Sequence, residues 1–318
     1  LYCDVGQDAV ISLPTLDNIY KVPVHLENQG LGKIIAEKFN FPNTNTDLTE
    51  WEKTTSSDTT NWPEITICIV GKYVELRDSY MSVIEAINHS AMFHKLVVKI
   101  RWIAAEDIEK EDTDIIDLFN GVNGFIVPGG FDSRGIEGMI LTAKYARENN
   151  IPYLGLCLGM QIMVIEFTRN VLGINGANSI EMAEDTNDPV ISFMDGQEDL
   201  KSTGGTMRLG SYDCKLRTGT IARKAYGIEL VSERHRHRYE LNNLYRGRLE
   251  ERGLVSSGTS PDDSLVEIVE VKKHPFMLGS QFHPEFGSRP ERPHPLFSEF
   301  IRVSNTTVLE GEQHILFD

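Results

Sequence analysis

Short apolar runs alternate with amphipathic stretches along most of this chain. "ITICIVGKY" (Ile65–Tyr73) is almost continuously apolar and reaches a glycine, the pattern of a strand buried on both faces. Residues 79–93 then set Tyr80, Val83, Ile84, Ile87 and Ala91 at three- and four-residue intervals, which predicts a helix. "LVVKIRWI" (Leu96–Ile103) predicts the next strand and leads into an acidic helical stretch. "GFIVPGG" (Gly124–Gly130) reads as a strand ending in a glycine turn, and residues 136–149 as a helix. Pro152–Leu156 is a further strand, with a helix starting at Leu158. This alternation predicts an α/β fold: a mostly parallel central sheet with helices on both faces.

The pattern changes at both ends. From Gly204 onward "GTMRLG", "CKLRTG", "LVEIVEV" and "FMLGSQF" are short strands and turns, a smaller antiparallel β region closed by a helix over 295–303. Residues 1–23 have no clear period, and 24–39 form a candidate helix. The stretch 40–62, "NFPNTNTDLTEWEKTTSSDTTNW", is rich in Asn, Thr, Ser and Asp and reads as a linker or mobile loop. The expected organisation is therefore 1–63 as a partly mobile lead-in, 64–304 as the main domain and 305–318 as a polar tail. The start at Leu1, within sequence of structured character, reads as a piece of a longer protein.

Composition narrows the function. The chain has 318 residues, 40% hydrophobic and 25% charged, as in an ordinary globular protein. Its 47 acidic and 31 basic residues leave a net charge of −16, which argues against nucleic acid or an anionic membrane as partner. No apolar run is long enough for a membrane helix. Cys3, Cys68, Cys157 and Cys214 are scattered, with no CxxC and no Cys/His metal spacing, so neither a disulfide scaffold nor a metal is expected. A reducing cytoplasm fits best.

One of these cysteines sits in an unusual place. "PYLGLCLGMQ" (Pro152–Gln161) puts Cys157 between glycines at a strand-to-helix turn, the arrangement of a nucleophile elbow. Gly155 and Gly159 make room for the sharp turn, and the helix N-terminus favours a thiolate. "GSQFHPEFGSRP" (Gly279–Pro290) supplies His283 just past a strand end and Glu285 two residues later, a base and a carboxylate to orient it. "VPGGFDSRG" (Val127–Gly135) puts consecutive glycines at another strand end, where backbone N–H groups can face an oxyanion.

"PGGF", "GLCLGMQ" and "FHPEF" together resemble the class I (triad) glutamine amidotransferases. With "RNVLGINGANSIEM", "GGTMRLG", "ERHRHRYELNN" and "HPEFGSRPERPHPLF" the resemblance narrows to the glutaminase domains of CTP synthases, and "YKVPVHLENQGL" resembles the end of their synthetase domain. The resemblance implies a three-layer, flavodoxin-like fold. It implies Cys157 as nucleophile toward L-glutamine, His283 as base and Glu285 as its orienting partner. Backbone N–H groups of Gly130 and Leu158 would form the oxyanion hole, shaped by Gly129. Gln161, Glu181, Arg238 and the backbone of Phe131 would hold the substrate.

Further expectations follow from the same source. Arg208 would lie in a lid linked to activation by GTP. ATP and Mg2+ would be needed only in a synthetase domain that this sequence lacks. The full-length relative would be a homotetramer aminating UTP to CTP. Asp132 departs from the glycine that many relatives carry after "PGGF". Two other readings stay open: a stand-alone γ-glutamyl hydrolase, and a non-catalytic regulatory or assembly module.

Overall fold

The computed structural model describes residues 5–42, 46–55, 59–193 and 207–306. The tail from 307 onward lies outside the described residues. Two compact units divide the chain, Leu1–Asn61 and Trp62–Asp318.

In the first unit the single helix expected over 24–39 is two helices, α1 (Val22–Asn28) and α2 (Leu31–Phe39). The break has a local cause: Gly30 adopts φ 79°, and the N–H groups of Gln29 and Gly30 turn back to the carbonyls of Leu26 and Glu27. The stretch read as a loop contains α3 (Thr49–Thr55). Asp47 accepts the Thr49 N–H at 3.0 Å, Glu50 and Glu52 favour the helix N-terminus, and the Trp51 indole donates to the Tyr20 carbonyl at 2.7 Å. A tertiary anchor on one tryptophan thus overrides a polar composition.

The second unit is built on a nine-stranded sheet in the order β2-β1-β3-β4-β12-β11-β10-β7-β8. β1 (Glu64–Gly71), β2 (Val97–Ala104), β3 (Gly124–Val127), β4 (Tyr153–Leu156) and β12 (Met277–Ser280) run parallel. From β12 the same sheet continues antiparallel through β11 (Val266–Val271), β10 (Leu254–Thr259), β7 (Arg208–Leu216) and β8 (Leu230–His237). A small second sheet joins β5 (Ala177–Ser179), β6 (Asp188–Phe193) and β9 (Tyr239–Leu241).

The helices are α4 (Met81–His94), α5 (Ala105–Ile108), α6 (Ile115–Phe119), α7 (Ile136–Glu148), α8 (Leu158–Asn170), α9 (Ile221–Tyr226), α10 (Asn243–Arg252) and α11 (Pro295–Ser304). Strand β1 shows why the sheet is covered twice. Ile65, Ile67 and Ile69 belong to the core beneath α4 and α11, whereas Cys68 and Val70 belong to the opposite core with α7 and α8. A strand with apolar side chains on both faces has no solvent face, so helices must cover both sides. The acidic stretch after β2 yields only the short α5 and α6, with Asp114 capping α6 through the N–H groups of Ile116 and Asp117.

This topology brings together the C-terminal ends of β1, β3, β4 and β12, the edge at which α/β sheets place their ligands.

Candidate active site

At the end of β4 the chain turns straight into α8 with Cys157 as the N-cap, at φ 51° and ψ −99°. A non-glycine residue there is strained, and the strain sits on the thiol-bearing residue itself. Glycines on either side make the turn possible. A Cβ on Gly155 would lie 2.5 Å from the Gly159 carbonyl, and one on Gly159 would overlap the Val127 carbonyl of β3. The Cys157 N–H donates to Ser280 O at 2.7 Å, so the elbow is tied to the end of β12.

Strand β12 leads to His283, which opens a single helical turn, Pro284–Gly287. Its N–H donates to Arg234 O at 2.9 Å, fixing the backbone, and its ring stacks on Phe286. Nδ1 lies 2.8 Å from Glu285 Oε1. With the proton on Nδ1 held by that carboxylate, Nε2 faces Cys157. Burial by itself pushes the imidazolium down. The hydrogen bonds and negative charge of Cys157 and Glu285 outweigh it and bring His283 up to about 10. The fold therefore favours His283 in its protonated form.

The glycine turn after β3 completes this centre. A Cβ on Gly129 would sit 3.0 Å from His283 Cε1, so only glycine lets the ring approach. Gly130 lies against Leu158. As the first residue of α8, Leu158 has an N–H with no partner inside the helix, and it points out of a positive helix end.

Cys157 opens into a cavity of ≈ 260 Å³ whose lining includes Gly130, Phe131, Leu158, Gln161, Glu181 and Arg238. The residues expected from widely separated motifs thus converge on one hollow. Burial pushes the Glu181 carboxyl up, while the Asp132 N–H, Lys72 and Arg238 favour its ionised form. An acid and an arginine on one small cavity suit a ligand with an ammonium and a carboxylate. Gly129, His283 and Glu285 line a neighbouring cavity of ≈ 280 Å³ that shares Gly130, Phe131 and Cys157.

Residues 75–303 match the family model for class-I glutamine amidotransferases. The chain belongs to the class-I glutamine amidotransferase family. This amidotransferase is 51% identical over 313 residues to a CTP synthase of Dehalococcoides mccartyi (strain BAV1), covering 98% of this chain and 57% of that protein. It is 52% identical to a CTP synthase of Chloroflexus aggregans, covering 98% of this chain and 56% of that one. The chain thus spans little more than half the length of these relatives. Among solved structures it is similar to the glutaminase domain of Trypanosoma brucei CTP synthase with bound acivicin, at 37% identity and TM-score 0.72, covering 77% of this chain and 95% of that one.

Some parts of the amidotransferase site carry no motif. The buried Gln281 side chain lies between Cys157 and Gln161: its Nε2 is 3.7 Å from Sγ, and its Oε1 accepts from Gln161 Nε2 at 3.3 Å. Its place at the end of β12, two residues before His283, was the available signal. Lys72, just beyond β1, donates to the carbonyls of Phe131 and Asp132, and nothing in its local sequence announces this.

Arg208, the residue assigned to a lid by resemblance, is buried. It begins β7 with its guanidinium buried, 2.6 Å from Glu267 and 3.6 Å from Glu240, and it stacks on Tyr212. Two carboxylates pushed up by burial and facing one arginine hold it inside the sheet, next to His235 and His237. The preceding residues 194–206 lie outside the described residues.

Proposed function

We propose that this chain is the glutaminase part of a CTP synthase and hydrolyses L-glutamine through a thioester on Cys157. The observation that carries the reading is convergence: strained thiol, carboxylate-held imidazole and oxyanion glycines meet beside a hollow bearing Glu181 and Arg238. The CTP-synthase part of the reading rests on the likeness to the relatives and to the trypanosomal glutaminase domain.

In the proposed reaction the Cys157 proton moves to His283 Nε2 and the sulfur attacks the side-chain carboxamide carbon of glutamine. The carbonyl π pair moves to oxygen, which the N–H groups of Gly130 and Leu158 receive. Collapse of the tetrahedral adduct breaks the C–N bond, and His283 passes its proton to the leaving nitrogen, so ammonia departs and a γ-glutamyl thioester remains. Water then gives a proton to His283 and its oxygen to the acyl carbon. The proton returns to sulfur as glutamate is freed. Glu181 would hold the ammonium of glutamine, Arg238 its carboxylate, and Gln161 with the Phe131 backbone the remaining polar atoms.

In a full-length protein the ammonia would aminate UTP in the synthetase segment, which would use ATP and Mg2+. GTP is proposed as an activator of the glutaminase step, and the assembly as a cytoplasmic homotetramer, on the motif resemblance.

The test is peptide-mapping mass spectrometry after incubation with 6-diazo-5-oxo-L-norleucine, a glutamine analogue that alkylates an activated thiol. A single adduct on Cys157 that excess glutamine prevents is expected. An unmodified Cys157, or labelling spread over other thiols, would sink the reading.

A further inference from the structure

We propose that Lys72 is the positioning residue of the oxyanion hole, pinning the Phe131–Asp132 peptides so that the Gly130 N–H is held toward Cys157. The proposal rests on the reading of Cys157 as a glutaminase nucleophile.

Lys72 follows the last residue of β1, and its side chain is wholly buried. A lysine ammonium out of water needs several acceptors. Here it donates to Phe131 O at 2.8 Å and to Asp132 O, and it lies 3.5 Å from Asp132 Oδ1. Its aliphatic stem runs under Gly130, where a Cβ on that glycine would be 3.5 Å from Lys72 Cδ. Head and stem thus hold consecutive residues of one loop against the end of a neighbouring strand.

The loop needs such a hold, because Asp132 is in the left-handed region at φ 68°. Its side chain accepts the Arg134 N–H at 2.7 Å, and its own N–H is 3.4 Å from Glu181 Oε1. The same loop therefore links the oxyanion hole to the carboxylate assigned to the substrate ammonium. Asp132 adds a negative charge beside the buried ammonium.

A donor aimed at an oxyanion acts in the transition state more than on bound substrate, so a misaimed Gly130 lowers kcat and leaves KM nearly alone. The 318-residue chain is compared with Lys72→Met and Asp132→Asn, the latter at an exposed side chain where folding is not at stake. Glutamate release gives kcat and KM. Glutamate γ-semialdehyde gives a second measure: Cys157 sulfur bonds to its aldehyde carbon, the oxygen enters the hole, and the thiol proton passes through His283. Its affinity is read from protection of Cys157 against 6-diazo-5-oxo-L-norleucine.

For Lys72→Met, kcat and aldehyde affinity are expected to fall together by about 10- to 100-fold, with KM within about threefold of the parent. Asp132→Asn, losing only charge, is expected to fall by about two- to fivefold in both. Parental kcat and aldehyde affinity in either folded variant overturns the proposal, as does a loss confined to KM. If the parent chain itself is not alkylated at Cys157, the glutaminase reading falls and takes this proposal with it.

Discussion

Glu285 acts on His283 twice, through geometry and through charge. Its Oε1 fixes the ring tautomer at 2.8 Å, and its negative charge helps hold the imidazole protonated. Replacing it with glutamine keeps the size but lets an amide N–H face Nδ1, which favours the tautomer with the proton on Nε2. Glu285→Gln should lower kcat by about 100-fold or more in a glutaminase assay. It should also change how stability depends on pH. His283 rises from 6.5 in an unfolded chain to about 10 in the fold, so the stability it contributes is complete below pH 6.5 and is lost as pH rises through about 10. The difference in urea midpoint between parent and Glu285→Gln is therefore expected to be larger near pH 6 than near pH 10.5. A difference independent of pH would mean that Glu285 matters only as packing.

At the scale of elements, β4, the elbow and α8 form one unit whose tolerance is set by backbone contact. Because a Cβ on Gly159 would overlap the Val127 carbonyl, Gly159→Ala must push α8 away from β3. The expected cost is about 2–3 kcal/mol in urea unfolding, and Cys157 moves with the helix. A midpoint equal to the parent's would show that the helix does not rest on that strand. Here the sequence was informative, since glycine-cysteine-glycine between an apolar run and an amphipathic one fits little besides a tight strand-to-helix turn. The parallel strands were legible for a related reason: a fully apolar run bounded by glycine can hardly be a surface element. Helix α3 was not legible, because its anchor is the Trp51–Tyr20 contact, made by residues 31 apart. Lys72 and Gln281 were missed on the same ground. Their partners lie 59 and 124 positions away, beyond the reach of any local pattern.

At the scale of the whole second unit, the sheet separates two cores, and among the described residues each holds one buried thiol: Cys68 on the side of α7 and α8, Cys214 on the side of α4 and α11. Burial pushes Cys68 up to about 12 and Cys214 up as well. Neither has appreciable thiolate near neutral pH. Iodoacetamide near pH 8 should therefore modify Cys157 in the native chain and spare both of them, whereas all three react in concentrated urea. Reaction at Cys68 under native conditions would mean that the core beneath α7 opens readily.

The ladder that pairs Met277 with Tyr153 and Ser280 with Leu156 also fixes where each strand stops, and Cys157 and His283 are read off those stopping points. One residue added to either strand would turn every later side chain to the opposite face. Segment length is thus as heritable a part of the proposed chemistry as Cys157 and His283 themselves. In lineages that keep the reaction, insertions and deletions should be purged from 153–157 and 277–283 yet accumulate in connections such as 260–264. A copy with intact cysteine, histidine and glutamate but a shifted gap in either segment would already be a pseudoenzyme.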